Sequence, residues 1–91
     1  MVYVDNMNRK FGRMKLSHMI ADTTEELLEM VDKIGIDRKW IQYPGTYREH
    51  FDISEVKKKI ALSLGATQIS MMDLGRILAK RPGSPFQKIQ Q

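Results

Sequence analysis

Residues 14 to 26 hold the feature that most limits the fold of this chain. Met14, Leu16, His18 and Ile20 alternate with Lys15, Ser17, Met19 and Ala21, with apolar groups on both sides of the alternation. A period of two is strand spacing, and apolar groups on both faces suit a strand covered from two sides. The run passes without a break into Asp22-Thr23-Thr24-Glu25-Glu26. Asp22 or Thr23 can accept from the free amides of a first helical turn, with Glu25 and Glu26 at the return positions of a capping box. A strand that ends in a capped helix start points several backbone N–H groups at one spot. In open α/β sheets, ligands bind at such carboxyl ends.

The rest of the chain extends this unit in both directions. Val2 and Val4 share one face of a short first strand closed by Asp5, and residues 6–13 read as a polar connector broken at Gly12. A first helix is predicted over 23–34, with Leu27, Val31 and Ile34 on one side and Gly35 as its stop. Residues 38–43 read as a third strand, which Pro44-Gly45 breaks. A second helix is predicted over 54–64, with Val56, Ile60 and Leu64 as its inner stripe and Lys57, Lys58 and Lys59 beside it. A short strand over 67–70 and a third helix over 71–80 follow, the latter with Leu74, Ile77 and Leu78 apolar.

One internal regularity supports serial βα units. Asp22-x-x-Glu25 precedes Ile34-Gly35, and Asp52-x-x-Glu55 precedes Leu64-Gly65 at the same offsets. Two βα units in series imply parallel strands joined by right-handed crossovers. The expectation is a small α/β domain over residues 1–83, a mostly parallel sheet of about four strands with three helices, followed by a polar tail over 84–91.

Composition bounds the function. Ninety-one residues leave room for one domain, and 42% hydrophobic with 29% charged residues is ordinary for a water-soluble globular chain. No apolar run reaches the length of a membrane span, so no membrane partner is expected, and the opening residues lack the apolar stretch of a secretory signal. Cysteine is absent, which removes disulfides and thiolate metal sites and fits a reducing cytoplasm. The net charge of +4 and pI of about 9.5 favour an anionic partner, a nucleotide, phosphate or nucleic acid; solubility alone accounts for the same charge equally well.

The candidate chemistry gathers at strand ends. In an extended segment His50 and Asp52 point the same way. If the strands are parallel, both helix starts lie on one edge, which collects Asp5, His18, Asp22, His50 and Asp52 at a single rim. Mixed histidine and carboxylate sets bind divalent metals or share acid–base work. Asp5, His50 and Asp52 are the metal candidates; His18, His50 and Asp52 are the proton-transfer candidates. The simpler role for Asp22 and Asp52 is helix capping, and His18 reads equally well as a hydrogen-bonded core residue. His50 has the better functional claim, since it lies on a loop beside a helix start. A second set, Arg13, Arg38, Lys39, Lys57 and Lys58, with Tyr3, Trp40, Tyr43, Tyr47 and Phe51 near in sequence, could cradle a phosphate and stack a base. Its simpler reading puts Trp40 in the core and the lysines in solvent. No H-E-x-x-H, Walker loop or G-x-G-x-x-G is present in the sequence.

Val2-Tyr3-Val4-Asp5, Gly12-Arg13-Met14, Ser17-His18-Met19-Ile20-Ala21-Asp22, His50-Phe51-Asp52-Ile53 and Gly65-Ala66 together resemble a family of short bacterial and bacteriophage proteins, a domain of unknown function. The resemblance runs to about residue 79. It implies a phage origin and a real site at the matching polar positions Asp5, Arg13, His18, Asp22, His50 and Asp52, and it brings no established activity. Phe51 stands where that family commonly has tyrosine.

The resulting expectation is a small protein that binds phosphate or a nucleotide at the carboxyl rim near His18 and His50. Asp5, Arg13, Asp22, Arg38, Trp40 and Lys57 would line the ligand site. Two alternatives carry different chemistry: a metal-dependent phosphoesterase or nuclease, and a nucleic-acid-binding accessory protein. A plain interaction module with a dimer interface at Trp40 or Met71-Met72 is the fourth reading.

Overall fold

A computed structural model describes residues 1–6, 9–12 and 14–85. In chain order its elements are β1 (Val2–Val4), β2 (Arg9–Phe11), β3 (Met14–Ala21), α1 (Thr24–Ile34), a short 3-10 turn at Arg38–Trp40, β4 (Phe51–Ser54), α2 (Glu55–Ser63), β5 (Thr67–Gln68) and α3 (Met71–Ala79). The alternating run read from the sequence is β3, and it organises the sheet. Leu16 stands opposite both Arg9 and Ser54, and Met19 opposite both Val4 and Phe51. A strand has two edges, so β4 holds one edge while β1 and β2 follow each other along the second. All three pair with β3 antiparallel, and only the β1–β5 pair is parallel among the described strands.

The fold is therefore a single small α/β domain with an open mixed sheet four strands wide and three helices among the described residues. The expected mostly parallel sheet is corrected: the sheet is mostly antiparallel. The reason lies in residues 35–50. A strand over 38–43 would have followed α1 directly and run parallel to β3. Instead the Asp37 side chain accepts from the Lys39 amide at 2.9 Å and folds 38–40 into a 3-10 turn. The chain then travels back to the last residues of β3 before β4 begins, so Phe51 meets Met19 and β4 runs in reverse. Of the expected third strand only an isolated antiparallel bridge remains, Gln42 to His50.

Alternation then sorts the side chains. Val2, Val4, Met19, Ala21, Phe51 and Ile53 turn to one face and are buried with Leu27, Met30, Val31 and Ile34 of α1 and Ala61 of α2. Helix α1 packs as its spacing predicted. Helix α2 does not: Val56, Ile60 and Leu64, expected as its inner stripe, are exposed, while Lys58 and Ala61 are buried. Alanine admits close approach, and a lysine stem covers apolar surface with its charged head left at the edge. The neighbouring Lys57 donates its Nζ to the Ile34 carbonyl at 2.8 Å, tying α2 to the C-terminal end of α1, where orphan carbonyls favour a cation. Gly35 completes that end at φ +80°, a left-handed conformation that suits glycine.

The helix starts are also reassigned. Thr23 caps α1 by accepting from the Glu26 amide, within the predicted Thr23–Glu26 box. Ser54, not Asp52, caps α2 by accepting from the Lys57 amide at 3.3 Å. The matched Asp22 and Asp52 offsets are thus not matched caps. Ser54→Ala is expected to lower stability by about 1 kcal/mol, and Asp52→Ala to change it by no more than about 0.5 kcal/mol. Denaturant titration of both variants checks the assignment; the reverse order would return the cap to Asp52.

Candidate functional site

The face of the sheet opposite that core carries the polar residues. Asp5 follows β1, His18 lies mid-strand in β3, and Asp52 is its direct cross-strand partner on β4. Cross-strand partners share a face, so the antiparallel register itself sets these side chains together. Asp5 is fully buried and bound to His18 by three contacts. Its backbone N–H donates to the His18 carbonyl at 3.0 Å. Its Oδ1 accepts from the His18 backbone N–H at 2.9 Å, and its Oδ2 lies 2.7 Å from His18 Nδ1. The carboxylate holds that ring by Nδ1 and directs Nε2 outward, to 3.8 Å from Asp52 Oδ1.

His50 arrives from the Gln42 bridge, one residue before β4. Its Nδ1 lies 2.6 Å from the Arg48 backbone carbonyl. A carbonyl can only accept, so Nδ1 carries the proton and donates, leaving the Nε2 lone pair facing outward in the neutral ring. That Nε2 is 3.4 Å from the same Asp52 Oδ1. The two imidazoles meet edge to face, with ring centroids 5.1 Å apart. One ligand atom from each of His18, His50 and Asp52 falls within 4.8 Å of the others. Two ring nitrogens and a carboxylate oxygen thus converge, each imidazole steadied from behind by an oxygen. Metal-ligating histidines are commonly held in this way, with the far ring nitrogen bonded to a carboxylate or a backbone carbonyl. Tetrahedral ligands at usual Zn–N and Zn–O lengths stand about 3.4 Å apart, a spacing tighter than the 4.8 Å within which these three atoms lie.

The predicted residues divide sharply. Asp5, His18, His50 and Asp52 come together, although the predicted rim does not exist. Because β3 and β4 are antiparallel, the starts of α1 and α2 lie at opposite ends of the sheet, and the cluster sits on its face between them. Asp22 stays at the α1 end, within 3.4 Å of the Tyr3 hydroxyl, which donates to it. It lines a groove of about 250 Å³ with Thr23, Thr46, Tyr47 and Arg81, separate from the imidazoles. Arg38 is engaged in a two-bond pair with Asp32, at 3.0 and 2.6 Å; this pairing lowers the Asp32 carboxyl below its ordinary range and raises the guanidinium. Lys57 is committed to Ile34. Trp40, expected to line the ligand site, is 61% exposed with Lys39 over its ring, which rules out the simpler reading that put it in the core, and Phe51 is core. Arg13 lies outside the described residues.

Sequence reasoning passed over the support of the 43–50 loop. Arg81, just after α3, donates to the carbonyls of Ala21 at 2.7 Å, Glu49 at 3.0 Å and Tyr47 at 3.1 Å. Burial pushes its guanidinium below the usual arginine value, a cost the three carbonyls offset. Buried Glu49 accepts from the Thr24 hydroxyl at 2.7 Å and the Gly45 amide at 3.0 Å. These bonds tie the loop to β3 and α1 and so fix His50. No motif signals them; the Arg81 contacts, 32 to 60 residues apart, are set by the tertiary fold. Arg48 had a weak signal, since the His50-x-Asp52 alternation extends back to it.

Asp5→Ala is expected to cost about 2–4 kcal/mol, because it strips the His18 amide and ring of their acceptor inside the fold. Thermal and urea unfolding check this; a loss under about 0.5 kcal/mol would contradict the described burial.

Comparison with curated proteins and with solved structures finds no match. The model of one family does match, over residues 2–81: the chain belongs to the family described as Protein of unknown function (DUF4031).

Proposed function

We propose that the protein handles a phosphate-bearing small molecule through a divalent metal ion held by His18 Nε2, His50 Nε2 and Asp52. The single observation that carries this reading is the meeting of acceptors: with both Nδ1 atoms engaged from behind, two imidazole nitrogens and a carboxylate oxygen face one point. A carboxylate oxygen facing two imidazole nitrogens is a donor set that a divalent cation can bridge. Direct phosphate binding, the first expectation from the sequence, is disfavoured there because the anion would meet Asp52. A metal reverses that sign. Two nitrogen donors and one oxygen suit Zn²⁺, Mn²⁺ or Fe²⁺.

Three protein ligands leave coordination positions open, which marks catalytic rather than structural sites. Asp52 is 41% and His18 28% exposed at the side chain, so solvent and a ligand reach them. A metal in this place would polarise a phosphoryl oxygen and activate water, the chemistry of a phosphoesterase. The net positive charge agrees with an anionic ligand. The nucleic-acid reading has less support, since Lys57 and Lys58 of the basic run turn inward to Ile34 and the core.

Calorimetric titration of the metal-free protein with Zn²⁺ and Mn²⁺ tests the reading. One ion per chain is expected, with Tm raised by roughly 10–20 °C at metal near one hundred times Kd. Affinity falls at acid pH as protons compete for the imidazoles. His50→Ala abolishes binding, and Asp5→Asn weakens it about 10- to 100-fold through its hold on His18. Hydrolysis of para-nitrophenyl phosphate by the loaded protein supports the phosphoesterase form. Wild-type protein that takes up neither ion overturns the metal reading.

A further inference from the structure

Four arginine side chains are described in full, and three are spent. Arg38 pairs with Asp32, Arg76 with Asp73, and Arg81 donates to three backbone carbonyls. Arg48 differs. It is exposed, and no carboxylate among the described residues lies within ion-pair distance of it. Its contact is with Tyr43, whose ring lies 4.1 Å from Arg48 Cζ.

That ring joins the arginine to the candidate metal centre. Tyr43 also stacks on His50, at 6.1 Å between centroids and 29° between planes. Its backbone sits at φ +51°, a left-handed conformation that is strained for a bulky L-residue, and Pro44 follows directly. The turn persists because the Thr46 amide and hydroxyl both donate to the Tyr43 carbonyl, at 3.2 and 2.8 Å, and the Arg48 amide donates to the Thr46 hydroxyl at 3.2 Å. The turn therefore fixes one aromatic ring against both a metal-ligand candidate and a guanidinium that has no carboxylate partner among the described residues. Stacking uses the face of the guanidinium and leaves its in-plane N–H donors for an anion. The same residue supplies the carbonyl that orients His50.

We infer that Arg48, held by Tyr43, is the anion-binding residue of this site, and that its ligand carries a terminal phosphoryl group, a phosphate monoester rather than a diester. The inference rests on the metal reading above. A monoester has three non-bridging oxygens: the guanidinium fork takes two and the metal takes the third. A diester has only two, and cannot satisfy both partners fully.

The test measures orthophosphate binding to Zn²⁺-loaded wild type, Arg48→Ala and Arg48→Lys, with Zn²⁺ affinity and Tm determined on the same samples. Arg48→Ala keeps the backbone carbonyl on His50, so Zn²⁺ affinity and Tm stay near wild type while phosphate Kd rises about 10- to 100-fold. Arg48→Lys recovers part of the loss, because it restores charge without the fork. Para-nitrophenyl phosphate displaces orthophosphate at least about tenfold better than its bis ester, the factor that one lost charged contact carries. Unchanged phosphate affinity in Arg48→Ala, or equal competition by the two esters, overturns this inference and leaves the metal site standing. No phosphate binding by the metal-loaded wild type overturns it as well. Phosphate binding that needs Arg48 but no metal supports the arginine and overturns the metal reading instead.

Discussion

The grip of Asp5 on His18 is the contact on which the site depends. A carboxylate removed from solvent is costly unless its oxygens are satisfied, and here one oxygen takes a backbone amide and the second a ring nitrogen of the same residue. This ties the end of β1 to the middle of β3 and points a ring nitrogen out of the sheet. Without it, the His18 ring would lose the carboxylate that holds its Nδ1. With it, the ring is fixed by the fold itself, the kind of preorganisation that a binding site requires.

The second donor is fixed by different means. His50 stands at the end of a loop held by side chains: Arg81 on three carbonyls, Glu49 on Gly45 and Thr24, Thr46 on Tyr43. The strained Tyr43 turn fits this pattern, since such conformations persist where surroundings over-determine them. Two unlike devices, a buried carboxylate and a braced loop, deliver two imidazoles to one carboxylate. The core on the far face needs neither: Met19, Phe51 and Ile53 pack against the helices whatever occupies the polar side.

Much of this was legible in the chain. The alternation of 14–21, the extent of α1 and the glycine stop at Gly35 follow from local periodicity and capping chemistry, and they stand. The sheet direction did not follow, because strand pairing was inferred from helix spacing, and the path of residues 35–50 is decided by a 3-10 turn at Asp37 that no apolar pattern announces. The α2 stripe failed for a related reason: Val56, Ile60 and Leu64 have helical spacing, but Ala61 and two lysine stems suit the available space, and Lys57 finds a carbonyl. The grouping of His18 with His50 was expected from a shared rim of parallel strands. It arises instead from direct antiparallel pairing of β3 with β4, which puts Asp52 opposite His18. The residues were legible because polar groups at alternate positions must share a face; their setting was not, because register is a tertiary property.

Anomalous diffraction from crystals grown with Zn²⁺ tests the central claim most directly. The account predicts a single strong peak on the open face of the sheet, about 2.0–2.2 Å from His18 Nε2, His50 Nε2 and an Asp52 oxygen, with both Nδ1 atoms still bonded to Asp5 and to the Arg48 carbonyl. Absence of a peak there, or an ion bound through Nδ1 with either supporting bond broken, would contradict it.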